Sequence, residues 1–238
     1  MIKVGNLSKQ LNDQPVLIDI NLDVKQGEIL VVLGESGAGK SVLLKHLVGL
    51  LRPDSGTVAI DGKEITNLSE RQLLTVRRNI GYLFQEGALY DFMDVYENIA
   101  FPLQEHTDLS DEEINKKVED ILRLVGLQEA EGKYPVELSG GMRKRAALAR
   151  SVIMGSKILL CDEPTSGLDP IRSRDISDLI KDISRHLGCT TVITSHDVRN
   201  SFRIADRLAL IHQGKIIAMG TKDEFQHSRD DFIKEFFG

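Results

Sequence analysis

The 238-residue sequence predicts an α/β protein with a mainly parallel sheet. The first observation is the apolar run ILVVL at residues 29–33, which has the length and composition of a strand covered on both faces. The second is the alternation of short apolar strands, KILLC and TTVITS, with polar or helical stretches after residue 156. The third is a mostly helical segment, at about residues 90–155, that interrupts the strand pattern.

Strand patterns also fill the first 60 or so residues. IKV, VLIDINL and TVAI show β-branched alternation, and Pro53-Asp54-Ser55-Gly56 and Asp61-Gly62 supply turns. Near the other end, RLALIHQGKIIAMG predicts a hairpin that turns at Gln213-Gly214. Thr221 with Glu224 predicts a capping box for a final helix.

The helical segment carries clear start and stop signals. Ser110 with Glu113 forms a predicted capping box, and Gly126 ends the same helix. Asp94 with Glu97 predicts another helix start just upstream. One face of the 110–126 helix is apolar, which predicts that it packs on a core; its residues are Ile114, Val118, Ile121, Leu122 and Val125.

Composition limits the classes of protein. A chain with 41% hydrophobic and 28% charged residues fits one compact unit or two small subdomains. The net charge of -6 disfavours nucleic acid as a partner of the whole surface. Cys161 and Cys189 lack metal-like spacing and are expected to be buried small hydrophobes in a reducing compartment. No leader or bilayer-length apolar run is visible, so we expect a soluble chain that reaches membranes through a partner.

A phosphate-binding loop follows the strand at 29–33. GESGAGKS at 34–41 has the spacing G-x-x-x-x-G-K-S and leads into the helical run VLLKHLVGLL. Backbone N–H groups and the helix dipole would hold phosphate, Lys40 would reach the β- and γ-phosphates, and Ser41 would hold Mg²⁺. An accidental match to this spacing is expected in roughly one chain in a hundred, and in fewer when a strand before it and a helix after it are also required. The predicted nucleotide-binding residues are Gly34, Glu35, Ser36, Gly37, Ala38, Gly39, Lys40, Ser41 and Val42.

A pair of carboxylates ends the strand KILLC. We expect Asp162 to bind Mg²⁺ through water and Glu163 to accept a proton from the attacking water. An Asp-Glu pair alone usually marks a solvated strand end. Here it follows an apolar strand in a chain with a phosphate loop, which favours a catalytic role.

The stretch LSGGMRKRAALAR at 138–150 combines features that oppose each other. Ser139 can cap a helix, yet Arg143, Lys144 and Arg145 crowd into its first turn. The positive end of the helix dipole disfavours each cation there by about 0.3–1 kcal/mol. The pattern therefore predicts an anion at this end of the helix.

Taken together, six motifs in order resemble the ATP-binding cassette (ABC) ATPases over nearly the whole chain. They are GESGAGKS, Gln85 in GYLFQ, LSGGM at 138–142, LLCDEP, SGLDP at 166–170 and His196 in ITSHD. The resemblance implies a single ABC ATPase domain with a RecA-like P-loop NTPase core. That core would span 1–89 and 156–238 and include an N-terminal antiparallel β subdomain, with an inserted helical subdomain at about 90–155.

The resemblance also implies a head-to-tail homodimer that uses ATP and Mg²⁺. ATP on the phosphate loop of one subunit would meet the LSGGM helix of the other, so the expected anion is the partner's γ-phosphate. Ser139, Gly140 and Gly141 would donate hydrogen bonds to it. Asp169 would lie at the dimer interface and couple the two sites.

Two further polar residues receive roles by resemblance. Gln85 would contact Mg²⁺ and the attacking water and relay the nucleotide state to the helical subdomain. His196 would hold the γ-phosphate and position the water with Glu163. The remaining histidines are expected to be structural or solvated; they are His46, His106, His186, His212 and His227.

Two positions depart from the family pattern. Met142 replaces the usual glutamine of the signature, which removes a polar contact but leaves the Ser-Gly-Gly donors. Leu11 stands where an aromatic residue commonly stacks on adenine. Aliphatic contact would then replace stacking at a cost of roughly 1–2 kcal/mol. The sequence therefore predicts ATP use but does not predict a strict preference for ATP over GTP.

The sequence after Gln85 indicates what the transporter carries. GALYDFM with ENIAFPL, the methionine of LSGGM and KRAALAR resemble the ATPases of Mla-type transporters, which move phospholipids with MCE-domain proteins. This implies integral permease subunits and an MCE-domain protein as partners, at the cytoplasmic face of the inner membrane. The alternative interpretation of residues 94–102 is purely structural: a capped helix whose hydrophobic side chains serve packing. Two functional alternatives stay open: a transporter for another cargo, such as amino acids or lipoproteins, and a non-transport, cell-division-type ABC ATPase.

Overall fold

The computed structural model of the protein describes residues 1–237 and divides into two compact units. The first unit comprises Met1–Arg77 and the chain from Thr190 onward, and the second comprises Arg78–Cys189. These bounds differ from the predicted subdivision at about residues 90 and 155, which remains a prediction. Among residues 1–237, no helix is both long and apolar enough to cross a bilayer.

The first unit contains two sheets and five helices within the described residues. Its strands are β1 (Ile2–Leu11), β2 (Gln14–Val24), β3 (Ile29–Leu33), β4 (Ser55–Ile60), β5 (Lys63–Glu64), β8 (Thr190–Ser195), β9 (Arg207–His212) and β10 (Lys215–Thr221). Its helices are α1 (Lys40–Leu47), α2 (Glu70–Arg77), α7 (Val198–Ile204), α8 (Lys222–Gln226) and α9 (Asp231–Phe237). One sheet is antiparallel, in the order β2-β1-β4-β5, which confirms the strand-rich N-terminal segment.

The other sheet of this unit is built around β3. Strand β3 pairs in parallel with β8 on one side and β9 on the other, and β10 pairs antiparallel with β9. All five residues of β3 are buried, as expected for a strand covered on both faces. The predicted hairpin is confirmed, because His212 and Lys215 are register partners across Gln213-Gly214.

The second unit is mainly helical. It contains β6 (Ile80–Leu83), α3 (Val95–His106), α4 (Asp111–Val125), α5 (Gly140–Val152), β7 (Ile158–Asp162) and α6 (Pro170–Leu187), with 3-10 turns at Gln128–Ala130 and Pro135–Glu137. Strands β6 and β7 are parallel, and α3, α4 and α5 pack on one another. The predicted apolar face of α4 is its buried face.

The predicted helix caps are confirmed. Asp94 with Glu97 and Ser110 with Glu113 form reciprocal capping boxes, and Gly126 ends α4 in the left-handed conformation. Thr221 caps α8, but α8 has only five residues and is not the final helix. It stops because Ser228 and Asp230 accept main-chain N–H groups in the following turn, and α9 begins there.

Both cysteines behave as small buried hydrophobes. Cys161 and Cys189 are buried and free of disulfides, and the Cys189 thiol donates to the carbonyl oxygen of Ser156 at 2.9 Å. Burial raises the pKa of both thiols above the ordinary range. Residues 1–237 contain no cluster of three or more histidine, cysteine, aspartate or glutamate side chains suited to hold a metal.

Candidate functional site

The loop between β3 and α1 has a backbone that requires glycine. Gly37 and Gly39 have φ values of 83° and 101°, in the left-handed region that disfavours side chains. A Cβ atom on Gly34 would lie 2.4 Å from the carbonyl oxygen of Ile211, and one on Gly39 would lie 2.8 Å from that of Val16. The loop therefore keeps its shape only with glycine at these positions.

Lys40 begins α1 and turns back over the loop. Its side chain is buried, and Nζ donates to the carbonyl oxygens of Gly34 at 2.8 Å and Glu35 at 3.0 Å. Gly39 is the N-cap, no side chain caps the helix, and its first turn has no acidic residue. A helix N-terminus and an ammonium group thus face the same loop, which suits an anionic ligand. Glu35, Ser36 and Gly37 are exposed, while the remaining predicted loop residues are half-buried or buried.

His196 leaves the sheet at the same edge as this loop. Leu33 of β3 and Ser195 of β8 are register partners in a parallel pair, so Gly34 and His196 follow neighbouring strand ends. The His196 side chain is exposed. Within the first unit, the fold therefore brings His196 beside the start of the phosphate loop.

In the second unit, the predicted carboxylates end β7. Asp162 and Glu163 are only 6% and 8% exposed. Leu83 of β6 and Cys161 of β7 are register partners, so Gln85 and Glu163 each stand two residues beyond that pair. Glu163 has a φ of 43°, a strained conformation for a non-glycine residue. Such strain costs on the order of 1–3 kcal/mol and clusters at functional sites.

Tyr82, a residue that no sequence motif indicated, lies against Asp162. Burial raises the pKa of Tyr82 well above its usual value, and the charge of the Asp162 carboxylate adds to this effect. The ring packs on Phe84 with centroids 4.4 Å apart. The side chain is therefore a neutral phenol beside a predicted metal-binding carboxylate. A strand tyrosine carries no signal of this in sequence, because the contact crosses from β6 to β7.

The signature motif opens α5. Ser139 is the exposed N-cap, and its Oγ accepts from the main-chain N–H of Met142 at 3.4 Å. A Cβ atom on Gly140 would lie 3.3 Å from Leu168, so the SGLDP segment packs closely on this glycine. A pocket of about 250 Å³ lies where the signature, GYLFQ and SGLDP segments meet. Its lining residues are Gln85, Glu86, Gly140, Arg143, Lys144, Ser166, Gly167 and Leu168.

The three basic residues near the start of α5 have different environments, and only Arg143 lies in its first turn, because the helix begins at Gly140. Arg143 is exposed, whereas Lys144 is buried and its Nζ donates to the main-chain oxygen of Gln85. Arg145 donates to the carbonyl oxygen of Val125 at 2.8 Å, at the C-terminus of α4. Lys144 and Arg145 therefore have protein partners, and Arg143 is the exposed cation of the three.

Asp169 caps α6. Its side chain accepts from the main-chain N–H groups of Ile171 at 3.1 Å and Arg172 at 3.0 Å, and these bonds lower the pKa of its carboxyl group. Arg172 also pairs with it at 3.3 Å, but both side chains are exposed and the pair contributes little. Ile171, the second residue of the helix, is 75% exposed. The capping role is structural, and the predicted interface role remains a prediction.

Leu11 and a large groove of the second unit lie apart from the other predicted site residues of their own units. Leu11 ends β1 and is partly exposed beside the turn Asn12-Asp13, whose positive φ values close the β1–β2 hairpin. A larger groove of about 1080 Å³ in the second unit, lined by Leu103, Ile121 and Leu187 among others, contains none of the predicted site residues. Size alone does not mark the functional site.

Comparison with known proteins decides the family. A model of the family described as ABC transporter matches residues 17–166. The chain belongs to the ABC transporter family. It is an ABC ATPase, which confirms the family resemblance and, with it, the predicted fold class.

Curated relatives match nearly the whole chain. The probable ribonucleotide transport ATP-binding protein mkl of Mycobacterium leprae is 42% identical over 99% of this chain and 68% of its own length. The intermembrane phospholipid transport system ATP-binding protein MlaF of Haemophilus influenzae is 41% identical over 99% of this chain and 89% of its own. The methionine import ATP-binding protein MetN of Mannheimia succiniciproducens is 42% identical over 99% and 70%.

A solved structure extends the comparison to the fold. The dimeric ATP-binding cassette MJ0796, in a post-hydrolysis state bound to ADP and Pi, has a TM-score of 0.85 and 30% identity. The match covers 93% of this chain and 98% of that one. This similarity fits ATP hydrolysis by a transporter subunit.

Proposed function

We propose that the chain is the ATPase subunit of a bacterial transporter that moves phospholipids with integral permease subunits and an MCE-domain protein. The observation that carries this proposal is the 41% identity to MlaF over 99% of this chain. The resemblance of GALYDFM and ENIAFPL to Mla-type ATPases supports the same assignment. The chain would then work at the cytoplasmic face of the inner membrane, attached through the permease.

The proposed reaction is hydrolysis of ATP bound to the loop 34–42. Lys40 and the N-terminus of α1 would bind the phosphates, and His196 would hold the γ-phosphate. Glu163 would accept a proton from the attacking water, and the strained, buried setting of this residue supports a catalytic role.

The donor chemistry of three residues fits Mg²⁺. Ser41, Gln85 and Asp162 offer a hydroxyl, an amide oxygen and a carboxylate, the hard oxygen ligands that Mg²⁺ prefers. When bound, the ion would supply positive charge that offsets the charge on the phosphate oxygens. Tyr82 would remain a neutral phenol beside Asp162.

We further propose that two copies of the chain form the complete catalytic unit. The exposed Ser139 and the N-terminus of α5 would donate to the γ-phosphate held by the partner, together with Gly140 and Gly141. The dimeric state of the similar cassette MJ0796 supports this arrangement. The predicted interface at Asp169 would also bury Ile171, which is 75% exposed at the start of α6.

Exposed aromatic residues support a docking surface for the permease. Phe92 is 74% exposed and its ring lies 5.6 Å from that of Tyr90. Val136 is 85% exposed. Main-chain hydrogen bonds from residues 95 and 96 to residues 133 and 131 bring the two segments together. Such a patch favours burial against another protein.

A reconstitution experiment tests the cargo. The chain would be purified with its permease and MCE-domain protein, and ATP hydrolysis would be measured in vesicles of defined phospholipid composition. We expect phospholipid to raise hydrolysis by the complex and Phe92→Glu to abolish assembly, while Tyr96→Phe leaves assembly intact. Stimulation by a methionine-loaded binding protein, with no response to lipid, would favour the second candidate, an amino-acid importer, for which the 42% identity to MetN argues.

A further inference from the structure

Main-chain oxygens of the segment Gln85–Tyr90 are held by two cations of α5. Lys144 Nζ donates to the oxygen of Gln85. Arg150 Nη2 donates to the oxygens of Gly87 at 3.0 Å and Ala88 at 2.7 Å. The two cations stand six residues apart, about 9 Å along the helix axis. One helix therefore holds three carbonyl oxygens within four consecutive residues.

This segment does not keep its shape by local preference alone. Gly87 and Ala88 have φ values of 80° and 50°, and an alanine is unfavourable in that left-handed region. The turn has one internal hydrogen bond, from the N–H of Gly87 to the oxygen of Phe84 at 2.9 Å. A Cβ atom on Gly87 would lie 3.2 Å from that of Ala147, so the turn rests directly on α5. External donors are what favour this conformation.

The contacts continue to the exposed aromatic residues. The guanidinium carbon of Arg150 lies 5.5 Å from the centroid of the Tyr90 ring. Asn98 of α3 accepts from the Tyr90 N–H at 2.8 Å and donates to the Tyr90 oxygen at 3.0 Å. Arg150 also reaches the Asn98 side chain at 3.4 Å. The segment is thus tied at both ends, to Lys144 near Gln85 and to Arg150 and Asn98 near Tyr90.

The Lys144 attachment is shielded from water. Its side chain is 8% exposed, and this burial lowers the pKa of Lys144. The carboxylates of Glu86, Asp162 and Glu163 act in the opposite direction and favour the charged form. Hydrogen bonds from charged donors are stronger than neutral ones, and low exposure strengthens them further.

We propose that Lys144 and Arg150 are positioning residues that make the segment Gln85–Tyr90 a rigid extension of the signature helix α5. Gln85 then cannot shift without α5, and force applied at Tyr90 and Phe92 reaches Gln85 and Ser139 together. The planar guanidinium holds the oxygens of Gly87 and Ala88 through Nη2 and the Asn98 side chain through Nη1, whereas a single ammonium group at position 150 could not reproduce that geometry. The force step rests on the proposed permease partner, but the attachment itself does not.

Hydrogen–deuterium exchange of the isolated full-length chain tests the attachment. Arg150→Met and Lys144→Met remove the donors and keep an apolar stem of similar length. Arg145→Met is the matched control, because Arg145 lies on the same helix and donates to a main-chain oxygen outside the segment. We expect exchange of amides 84–91 to rise roughly tenfold in both test variants, as local opening becomes easier, and to stay unchanged in Arg145→Met.

Hydrolysis by the permease complex tests the consequence. We expect the stimulation by the membrane partner to fall about fivefold or more in Arg150→Met, with ATP affinity of the isolated chain within about twofold of wild type. Arg150→Lys should restore only part of the stimulation. If Arg150→Met does not fold, Lys144→Met and Arg150→Lys carry the same comparison.

Two results would overturn the attachment: unchanged exchange of amides 84–91 in the folded test variants, or an equal rise in Arg145→Met. Normal stimulation in a variant whose exchange has risen would overturn the transmission of force. If the wild-type complex shows no stimulation at all, the proposed transport function fails, and the exchange comparison still decides whether Lys144 and Arg150 hold the segment.

Discussion

Replacing Glu163 with glutamine isolates the charge of the proposed general base. The side chain is 8% exposed and follows Asp162, which is 6% exposed, so two carboxylates share a poorly hydrated strand end. The strained backbone at Glu163 is held by the main-chain hydrogen bond from Ser166 to its carbonyl oxygen at 3.1 Å. Glutamine keeps that hydrogen bond and nearly the same shape. The substitution therefore removes one negative charge and one proton acceptor.

We expect Glu163→Gln to lower the hydrolysis rate by about 10²–10⁴-fold, the usual contribution of a general base. This corresponds to roughly 3–5 kcal/mol of barrier. The free energy of unfolding should rise by about 1 kcal/mol, because repulsion from the buried Asp162 carboxylate is relieved. Lys144 keeps the carboxylates of Asp162 and Glu86 as counter-charges. Loss of turnover together with a gain in stability is what a functional buried charge predicts.

The assay combines three measurements on one preparation. Phosphate release at saturating ATP and Mg²⁺ gives the rate, and gel filtration with ATP detects a trapped dimer. Tyrosine emission follows unfolding in urea, since the chain has four tyrosines and no tryptophan. Glu28→Gln is the control, because Glu28 is 7% exposed and pairs with Arg207 at 3.2 Å, away from the proposed reaction. It should lower stability and leave turnover unchanged within about twofold. Unchanged turnover in Glu163→Gln would refute the assignment of the general base.

Three further substitutions test the phosphate loop, the signature motif and a buried histidine. Lys40→Ala should weaken ATP binding at least about tenfold, since charge-assisted hydrogen bonds to phosphate are lost; calorimetry that finds normal affinity would contradict the phosphate-loop assignment. Mixing Ser139→Ala chains with Glu163→Gln chains should restore hydrolysis relative to the double variant, because one site of each mixed dimer then lacks both lesions; activity no higher than that of the double variant would exclude action across the interface. His46 is buried and burial lowers its pKa below 6.5, so the unfolded chain takes up the proton first as pH falls and stability declines below about pH 6.5, with a slope of at most about 1.4 kcal/mol per pH unit. His46→Leu should flatten that part of the curve in urea unfolding, and an unaltered slope would assign the decline to other groups.

Much of the fold could be predicted because its signals are local. A helix cap depends on a side chain and an N–H group three residues away, so the capping boxes at Asp94, Ser110 and Thr221 were visible in the sequence and are present in the structure. A fully buried strand must be apolar throughout, which made β3 and β7 recognisable. The extent of the last helix was wrong, since two polar side chains near residue 230 form a second cap that the periodic pattern did not reveal.

Parts of the candidate site could likewise be predicted from short stretches of sequence, whereas other parts could not. Local sequence pointed to the phosphate loop through its spacing and to the Asp162-Glu163 pair through its place at a strand end, and the resemblance to ABC ATPases assigned the signature. The relatives and the solved cassette establish the family, and the roles of individual site residues remain predictions. The cluster at 143–145 predicted an anion at this end of the helix; the structure leaves Arg143 exposed and gives Lys144 and Arg145 main-chain partners.

By itself, the sequence determined most of the strands, the capped helices of the helical segment and the chemistry that the motifs can perform. Only the tertiary structure decided that a Cβ atom on Gly34 would meet a β9 carbonyl oxygen, that Tyr82 lies against Asp162, and that Lys144 and Arg150 hold the segment after Gln85. The physical reason is the separation along the chain of the groups that interact. Capping and strand burial depend on residues a few positions apart, whereas these contacts join groups that are separated by tens of residues or more and become neighbours only when the chain folds.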